Sequence, residues 1–339
     1  MTKKVSLKDI AQALDLSTTT VSFVLNNQST QKRISPAVEK KVKAMAELMQ
    51  YTPNLLAKSL RTGVTKTIGL IVEDIANYFF SNIAKIIEEK ALQKGYKVFY
   101  SSTNGSPQKA KELIFLLRER KVDGFIITPT AGIEEDITQL QKMNIPLVLI
   151  DRYYPAITTN YVVSNNYKGA YDATMHLIAK GHKKIFLVTL ASTQVQMQDR
   201  LQGYTNALAQ HNIILSKRMI LYINFNTAPK DAVAAIQQLL TYKPDAILFT
   251  TNYLGIYGLE AIKMNHLIIP QHVSVVCYDE HDLFRLYQPG ITTVVQPITH
   301  IANAAVQYLI QAMEKNTETI HQKVFDCSIK KRNSVAQIK

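Results

Sequence analysis

The sequence predicts a small all-helical head followed by a large α/β body of two doubly wound, parallel-sheet lobes. Three observations predict it. The first sixty residues carry short apolar patterns at helical spacing, opened by serine or proline residues suited to helix starts. From Thr67 onward, strand-like apolar runs alternate with amphipathic helical stretches, the signature of repeated βα units. At 339 residues the chain exceeds one ordinary domain, and the βα run is too long for one sheet and breaks near residue 160.

In the head, Leu7, Ile10, Ala11 and Leu14 form the first helical pattern, with Ser6 as its N-cap and Asp9 in its first turn. Asp15-Leu16-Ser17 interrupts it, and Val21, Val24 and Leu25 make a second, capped by Ser17. Two short helices across a tight turn form a helix-turn-helix. The second helix presents Thr18, Thr19, Ser22 and Phe23, with Asn26 at its end, a mostly small and polar face of the kind that reaches base edges in a major groove. A third helix starts at Ser35-Pro36, and Val38, Val42, Met45, Ala46 and Met49 form the stripe that closes the core. Lys40, Lys41 and Lys43 fall on or beside its polar face, within reach of phosphate. A three-helix bundle with no nucleic-acid role shares this pattern. Residues 53–61, PNLLAKSLR, are apolar and short, too short for a stable helix without a partner, and read alone they equally suit a linker.

In the body, strands are expected at 67–72, 97–100, 124–128, 147–150, 184–189, 219–223, 246–250 and 274–278. Helices are expected at 79–93, 108–120, up to 143, from 167, and at 199–211, 228–240 and 254–265. Ligands of such sheets bind at the carboxyl ends of strands. Polar residues there are Asp74 and Asn77 after the first strand, Asp151 and Arg152 after the fourth, and Asn252 and Asp279 after strands of the second half. Arg200 opens a helix and Gln296 lies at a crossover. Carboxylates, amides and guanidiniums bind vicinal hydroxyls in fixed geometry, and Phe79 and Phe80 offer flat faces to a sugar ring. Taken singly, each has a plainer reading: a strand-end Asp is also a helix cap, Phe79 and Phe80 suit a core, and Arg152 suits a surface ion pair.

The net charge of +13 is uneven, since residues 1–62 hold ten basic residues and four acids. That points to a polyanionic partner or to a solvated basic face. Cys277 and Cys327 sit among apolar residues and read as core thiols, and His182, in GHKKI, reads as structural. Charges interrupt any export signal in MTKKVSLKDIAQ and no apolar run reaches about 18 residues, so a cytoplasmic protein with no membrane partner is expected. No GxSxG, Walker A, HExxH or Cys/His metal spacing occurs; no enzyme activity, catalytic residue, metal or cofactor is expected.

The motifs LKDIAQALDLSTTTVSFVLNN, YTPNLLAKSLRTG, TIGLIVEDIANYFF, IPLVLIDR, NNYKG, HLIAKGHKKI, DRLQGY, IIPQHVSVVCYDE and ITTVVQP run in order through nearly the whole chain. Together they resemble the lactose-repressor (LacI/GalR) family of bacterial transcription regulators. The resemblance implies a lambda-repressor-like head at 1–52, a hinge helix and linker at 53–65, and a periplasmic-binding-protein-like body. The body's first lobe would comprise 66–160 and 295–325, and its second 161–292 and 326–339. It implies that Thr18, Thr19 and Phe23 read bases, that Leu60 wedges between base steps in the minor groove, and that Lys58 lies one turn before it. Phe23 departs from the arginine or histidine of many members and suits a thymine methyl rather than guanine. It implies an effector site at Asn77, Phe79, Phe80, Asp151, Arg152, Arg200, Asn252, Asp279 and Gln296, with Phe225 as a second-lobe wall. The implied partners are a palindromic operator in double-stranded DNA, a second copy of the chain, and a small effector resembling a sugar. A phosphorylated sugar, a nucleoside or a purine corepressor stays open as the effector, and so does a sugar-binding or transport protein without a DNA role. The tail KKRNSVAQIK carries no leucine heptad, so a dimer rather than a tetramer is expected.

Overall fold

The computed structural model describes residues 5–52, 63–315 and 319–338, and the chain divides after Thr65 into two compact units. The first contains α1 (Leu7–Ala13), α2 (Thr18–Leu25) and α3 (Pro36–Leu48). Ser6 and Asp9 cap α1 reciprocally, Ser17 caps α2, and Ser35 caps α3 with Pro36 at the first helical position, as the sequence indicates. Ile10, Ala11, Val21, Val24, Val42 and Ala46 form the core, with Val38, Met45 and Met49 packed at its edge. The expected hinge segment, including Lys58 and Leu60, lies outside the described residues.

The second unit runs β1 (Thr67–Val72), α4 (Tyr78–Gln93), β2 (Lys97–Ser102), α5 (Pro107–Glu119), β3 (Gly124–Ile127), α6 (Glu134–Lys142), β4 (Leu147–Ile150) and β5 (Tyr161–Asn165). It continues through α7 (Asn166–Ala179), β6 (Ile185–Leu190), α8 (Val195–Gln210), β7 (Ile220–Ile223), α9 (Pro229–Leu240), β8 (Ala246–Phe249), α10 (Asn252–Met264) and β9 (Ser274–Tyr278). It ends with α11 (Asp282–Leu286), β10 (Thr292–Val295), α12 (Ile298–Lys315), β11 (Gln322–Asp326) and β12 (Ser328–Lys330). Two six-stranded sheets result, ordered β11-β5-β4-β3-β1-β2 and β12-β10-β9-β8-β6-β7. All strand pairs are parallel except β10 with β12. The orders correspond strand for strand, so β4 and β9 occupy equivalent central places.

Strands such as β3, β4, β6, β8 and β9 are buried along their whole length and almost entirely apolar, as a sheet covered on both faces requires. The first lobe has a separate core on each side of its sheet; Ile301, Ala302, Ala305, Val306 and Leu309 of α12 complete one of them, which brings that helix back to the first lobe. The tail joins the second lobe: Val275 N–H donates to the Ser334 carbonyl and Ile338 N–H to that of Lys180. Cys277 and Cys327 are free and buried, and His182 is buried against the Ala336 carbonyl. No helix among the described residues is long and apolar enough to cross a membrane.

Three expectations shift. Residues 161–165, placed with the second lobe, form β5 of the first sheet, so the first crossover follows Asn165; a five-residue strand against a polar turn carries too little pattern to register. Helix α8 begins at Val195, not Asp199, so Arg200 lies inside it rather than at its start. Helix α10 begins at Asn252, not Leu254. In both helices the first turn interleaves polar residues that line a cavity, Gln196 in one and Asn252 in the other, with apolar ones, which blurs the periodicity at the start.

Candidate functional site

The carboxyl ends of both sheets face a cavity of about 470 Å³, within the ~300–1,000 Å³ usual for small-molecule sites. Asn77, Phe79, Phe80, Asp151, Arg152, Arg200, Asn252, Asp279 and Gln296 all line it, as does Phe225. The two lobes thus bring together residues separated by more than half the chain. Asn77 caps α4 by accepting from Phe79 N–H (2.9 Å), which aims the first turn of that helix, and the Phe79 and Phe80 rings, at the cavity. The rings meet edge to face at 5.0 Å and are nearly fully buried.

Asp151 and Asp279 follow β4 and β9 directly, and both have φ of +67°, a left-handed conformation that aspartate tolerates better than most side chains. This turn carries each carboxylate off the end of its strand into the cleft. Arg152 donates from Nε to the Pro129 carbonyl (2.6 Å), from Nη1 to Asp151 (3.3 Å) and from Nη2 to Glu73. Arg200 donates from Nε to Asn166 (2.9 Å) and from Nη1 to the Thr250 carbonyl, and its guanidinium lies 3.8 Å from the centroid of the Tyr278 ring. Ser164 donates to Gln296 Oε1 (2.6 Å), which fixes the amide so that Gln296 Nε2 donates to Asp279 (2.6 Å). Asn77 and Asn252 exchange side-chain hydrogen bonds of 3.2 and 3.3 Å from one lobe to the other.

Burial raises the Asp151 pKa to about 6, with Glu73 and Asp279 adding to the rise and Arg152 and Arg200 opposing it. Burial likewise raises that of Asp279, against Arg200, Gln296 and the backbone of Asn252. Burial disfavours the charges of Arg152 and Arg200, but nearby anionic groups outweigh it and push both pKa values up, so both stay cationic. The cavity is a set of fixed, largely desolvated hydrogen-bonding groups around aromatic faces. It suits recognition of a small polar molecule.

Several lining residues escaped the sequence reading. Glu73, not its neighbour Asp74, enters the cleft; Asp74 instead accepts from Ala76 N–H (2.8 Å) in a local turn. Two consecutive acids after a strand carry no signal of which one turns inward. Ser192, Gln194 and Gln196 also line the cavity from the start of α8, as do Tyr253 from α10 and Tyr222 and Asn226 from the β7 end. The late start assigned to α8 hid the glutamines.

In the head, Thr18 and Thr19 are exposed, and Ser22 and Phe23 are partly so. The Lys32 ammonium lies 5.1 Å from the Phe23 ring centroid. Asn26 Nδ2 donates back to the Ser22 carbonyl (2.7 Å) at the end of α2. Lys40 and Lys41 are exposed, whereas Lys43 pairs with Glu39 (2.5 Å) along α3.

Residues 65–333 match the family model of periplasmic binding proteins and the sugar-binding domain of the LacI family, and residues 6–54 match that of bacterial regulatory proteins of the lacI family. The ribose operon repressor of Haemophilus influenzae is 30% identical over 337 residues, covering 98% of this chain and 99% of that protein. The HTH-type transcriptional repressor PurR of Aliivibrio fischeri is 30% identical over 319 residues, covering 91% of this chain and 92% of that one. A crystal structure of the lac repressor dimer bound to operator and the anti-inducer ONPF superposes with a TM-score of 0.88 at 24% identity, covering 98% of this chain and 100% of that one. That likeness is one of fold.

Proposed function

The chain belongs to the LacI family of bacterial regulatory proteins, a family of transcriptional repressors and not of enzymes, and from that premise we propose that it is a DNA-binding repressor whose operator affinity is set by a small sugar held between its two lobes. The observation that carries the sugar reading is the buried ring of Asp151, Arg152, Arg200, Asn252, Asp279 and Gln296 beside Phe79 and Phe80. Paired carboxylates, amides and guanidiniums answer vicinal hydroxyls, and aromatic faces answer the C–H face of a ring. A pentose or a hexose without a large aglycone suits that set. The ribose operon repressor among the relatives favours this class, and PurR names the competitor, a purine. Calorimetry of free pentoses and hexoses beside purine bases decides between them: a sugar binding and no purine supports the reading, and a purine binding alone overturns it.

The DNA arm rests on the head. Thr18, Thr19, Ser22, Phe23 and Asn26 form the base-reading face, and Lys58 and Leu60 of the hinge segment the minor-groove contact. Palindromic half-sites call for two heads, so the working unit is a homodimer, the form in which the lac repressor lies on its operator. A ligand touching both lobes favours their closed arrangement by its differential affinity, and closure would separate the paired hinges, each too short to stay helical alone. Ligand therefore relieves repression; the reverse sign, a corepressor, would show as tighter operator binding with ligand present. Leu60→Ser should lose operator binding in a gel shift while keeping ligand binding, and unchanged operator affinity would remove the hinge from the account.

A further inference from the structure

The charge of the cavity narrows the class of its ligand. Among the described residues, Glu73, Asp151 and Asp279 face Arg152 and Arg200 there, and neither lysine nor histidine lines it. The two guanidiniums are also partly committed: of the five N–H groups each carries, Arg152 gives three and Arg200 two to protein oxygens. A phosphate dianion entering here would meet three acidic side chains against two guanidiniums, one of which is already paired with two of those acids.

Among the helix starts at the cavity, that of α8 brings the most polar lining residues, and a bare helix N-terminus welcomes an anion. It is arranged otherwise. Ser192 Oγ accepts from Gln194 N–H (3.2 Å) and donates to Gln194 Oε1 (3.3 Å). That oxygen also accepts from Gln196 Nε2 (3.3 Å), which fixes the Gln196 amide with its nitrogen committed. Gln196 is 4% exposed and lines the cavity, and its Oε1 has no partner. A buried carbonyl oxygen repels an oxyanion and costs free energy until a donor reaches it. The Tyr253 hydroxyl, in the same cavity, is likewise buried without a partner.

We infer that the cavity takes the free, uncharged form of its ligand and turns away the phosphorylated form, with Gln196 Oε1 accepting from a ligand hydroxyl or N–H. This rests on the reading of the cleft as the effector site. The molecule sensed is then the substrate of a phosphoryl transfer, not its product. The burial that pushes the Asp151 pKa up to about 6, with Glu73 and Asp279 adding to it, disfavours a further negative charge in the same place.

The test is calorimetric titration of the full-length protein with matched pairs: D-ribose and D-glucose, each beside its terminal phosphate, and adenosine beside its 5′-monophosphate. Within whichever pair binds, the phosphate should bind about 100-fold or more weakly. A phosphate that binds as tightly as its free partner overturns the inference. If only adenosine binds, the sugar reading falls while charge selection stands; if only its monophosphate binds, both fall. For the pair that binds, Gln196→Leu should weaken the free member about tenfold, and Gln196→Lys should narrow the gap between the two members. Unchanged affinity in Gln196→Leu would remove Gln196 from ligand recognition, and the wild-type ratio would then test charge selection alone.

Discussion

Asp151 and Asp279 occupy equivalent places in the two lobes, one directly after β4 and the other after β9, each at φ +67°. The same backbone device serves different electrostatics. Asp151 lies in an ionic cluster, beside an Arg152 that also holds Glu73. Asp279 is hydrogen-bonded by neutral groups, with Ser164 and Gln296 forming a chain of donors behind it, and Arg200 is the cation that acts on it. An arginine locked to two carboxylates and a carbonyl is a rigid post whose charge the protein already balances. An aspartate steadied by a single amide and a backbone N–H keeps acceptor capacity for one. On the proposed reading of the cleft, the comparison gives the second lobe the stronger grip and the first lobe the fixed frame.

That contrast can be broken in order of expected effect. Asp279→Ala should weaken sugar binding by about 100-fold or more, the loss of hydrogen bonds to a buried charge; calorimetry showing less than about threefold would equate the two aspartates.

Asp151→Asn sharpens the first-lobe half. Because the folded Asp151 keeps its proton to about pH 6 while an unfolded aspartate loses it near ~4, ionisation favours the unfolded chain. The ligand-free protein should therefore lose stability as pH rises from about 4 to about 6 and level off above. Asp151→Asn should flatten that stretch and gain roughly 2 kcal/mol at pH 7, seen as a higher melting temperature, while ligand affinity falls less than in Asp279→Ala. A variant melting profile parallel to that of wild type would show that Asp151 is not strained by its burial.

The smallest effect concerns the roof. Gly105 of the first lobe sits at φ +70°, and a Cβ there would lie 3.0 Å from the Phe225 ring of the second. Gly105→Ala should cost about 1 kcal/mol in stability and a few-fold in ligand affinity; ligand binding indifferent to it would mean that the Gly105–Phe225 contact is no part of the bound arrangement.

Much of this was legible in the residues. The head follows from caps and apolar spacing, because Ser6, Asp9, Ser17 and Pro36 are local signals that need no tertiary partner. The sheets follow from almost wholly apolar strands. The cleft was legible where a polar residue stands directly at a strand end, as Asp151, Arg152 and Asp279 do. It was hidden where the site is made by the first turn of a helix. Gln196 is polar and buried at once and Gln194 half-buried, so a pattern built on apolar faces passes over them, and Glu73 cannot be told from Asp74 until the turn is built. Strand β5 was missed because five residues at a crossover show no period of their own.

The most direct test of the account is operator affinity by gel shift, for wild type and Asp279→Ala, with and without the sugar that calorimetry identifies. The account predicts that sugar weakens wild-type operator binding and that Asp279→Ala binds operator as wild type does without sugar but no longer responds to it. Tighter wild-type binding with sugar would contradict relief of repression, and an equal response in both proteins would contradict the place given to Asp279.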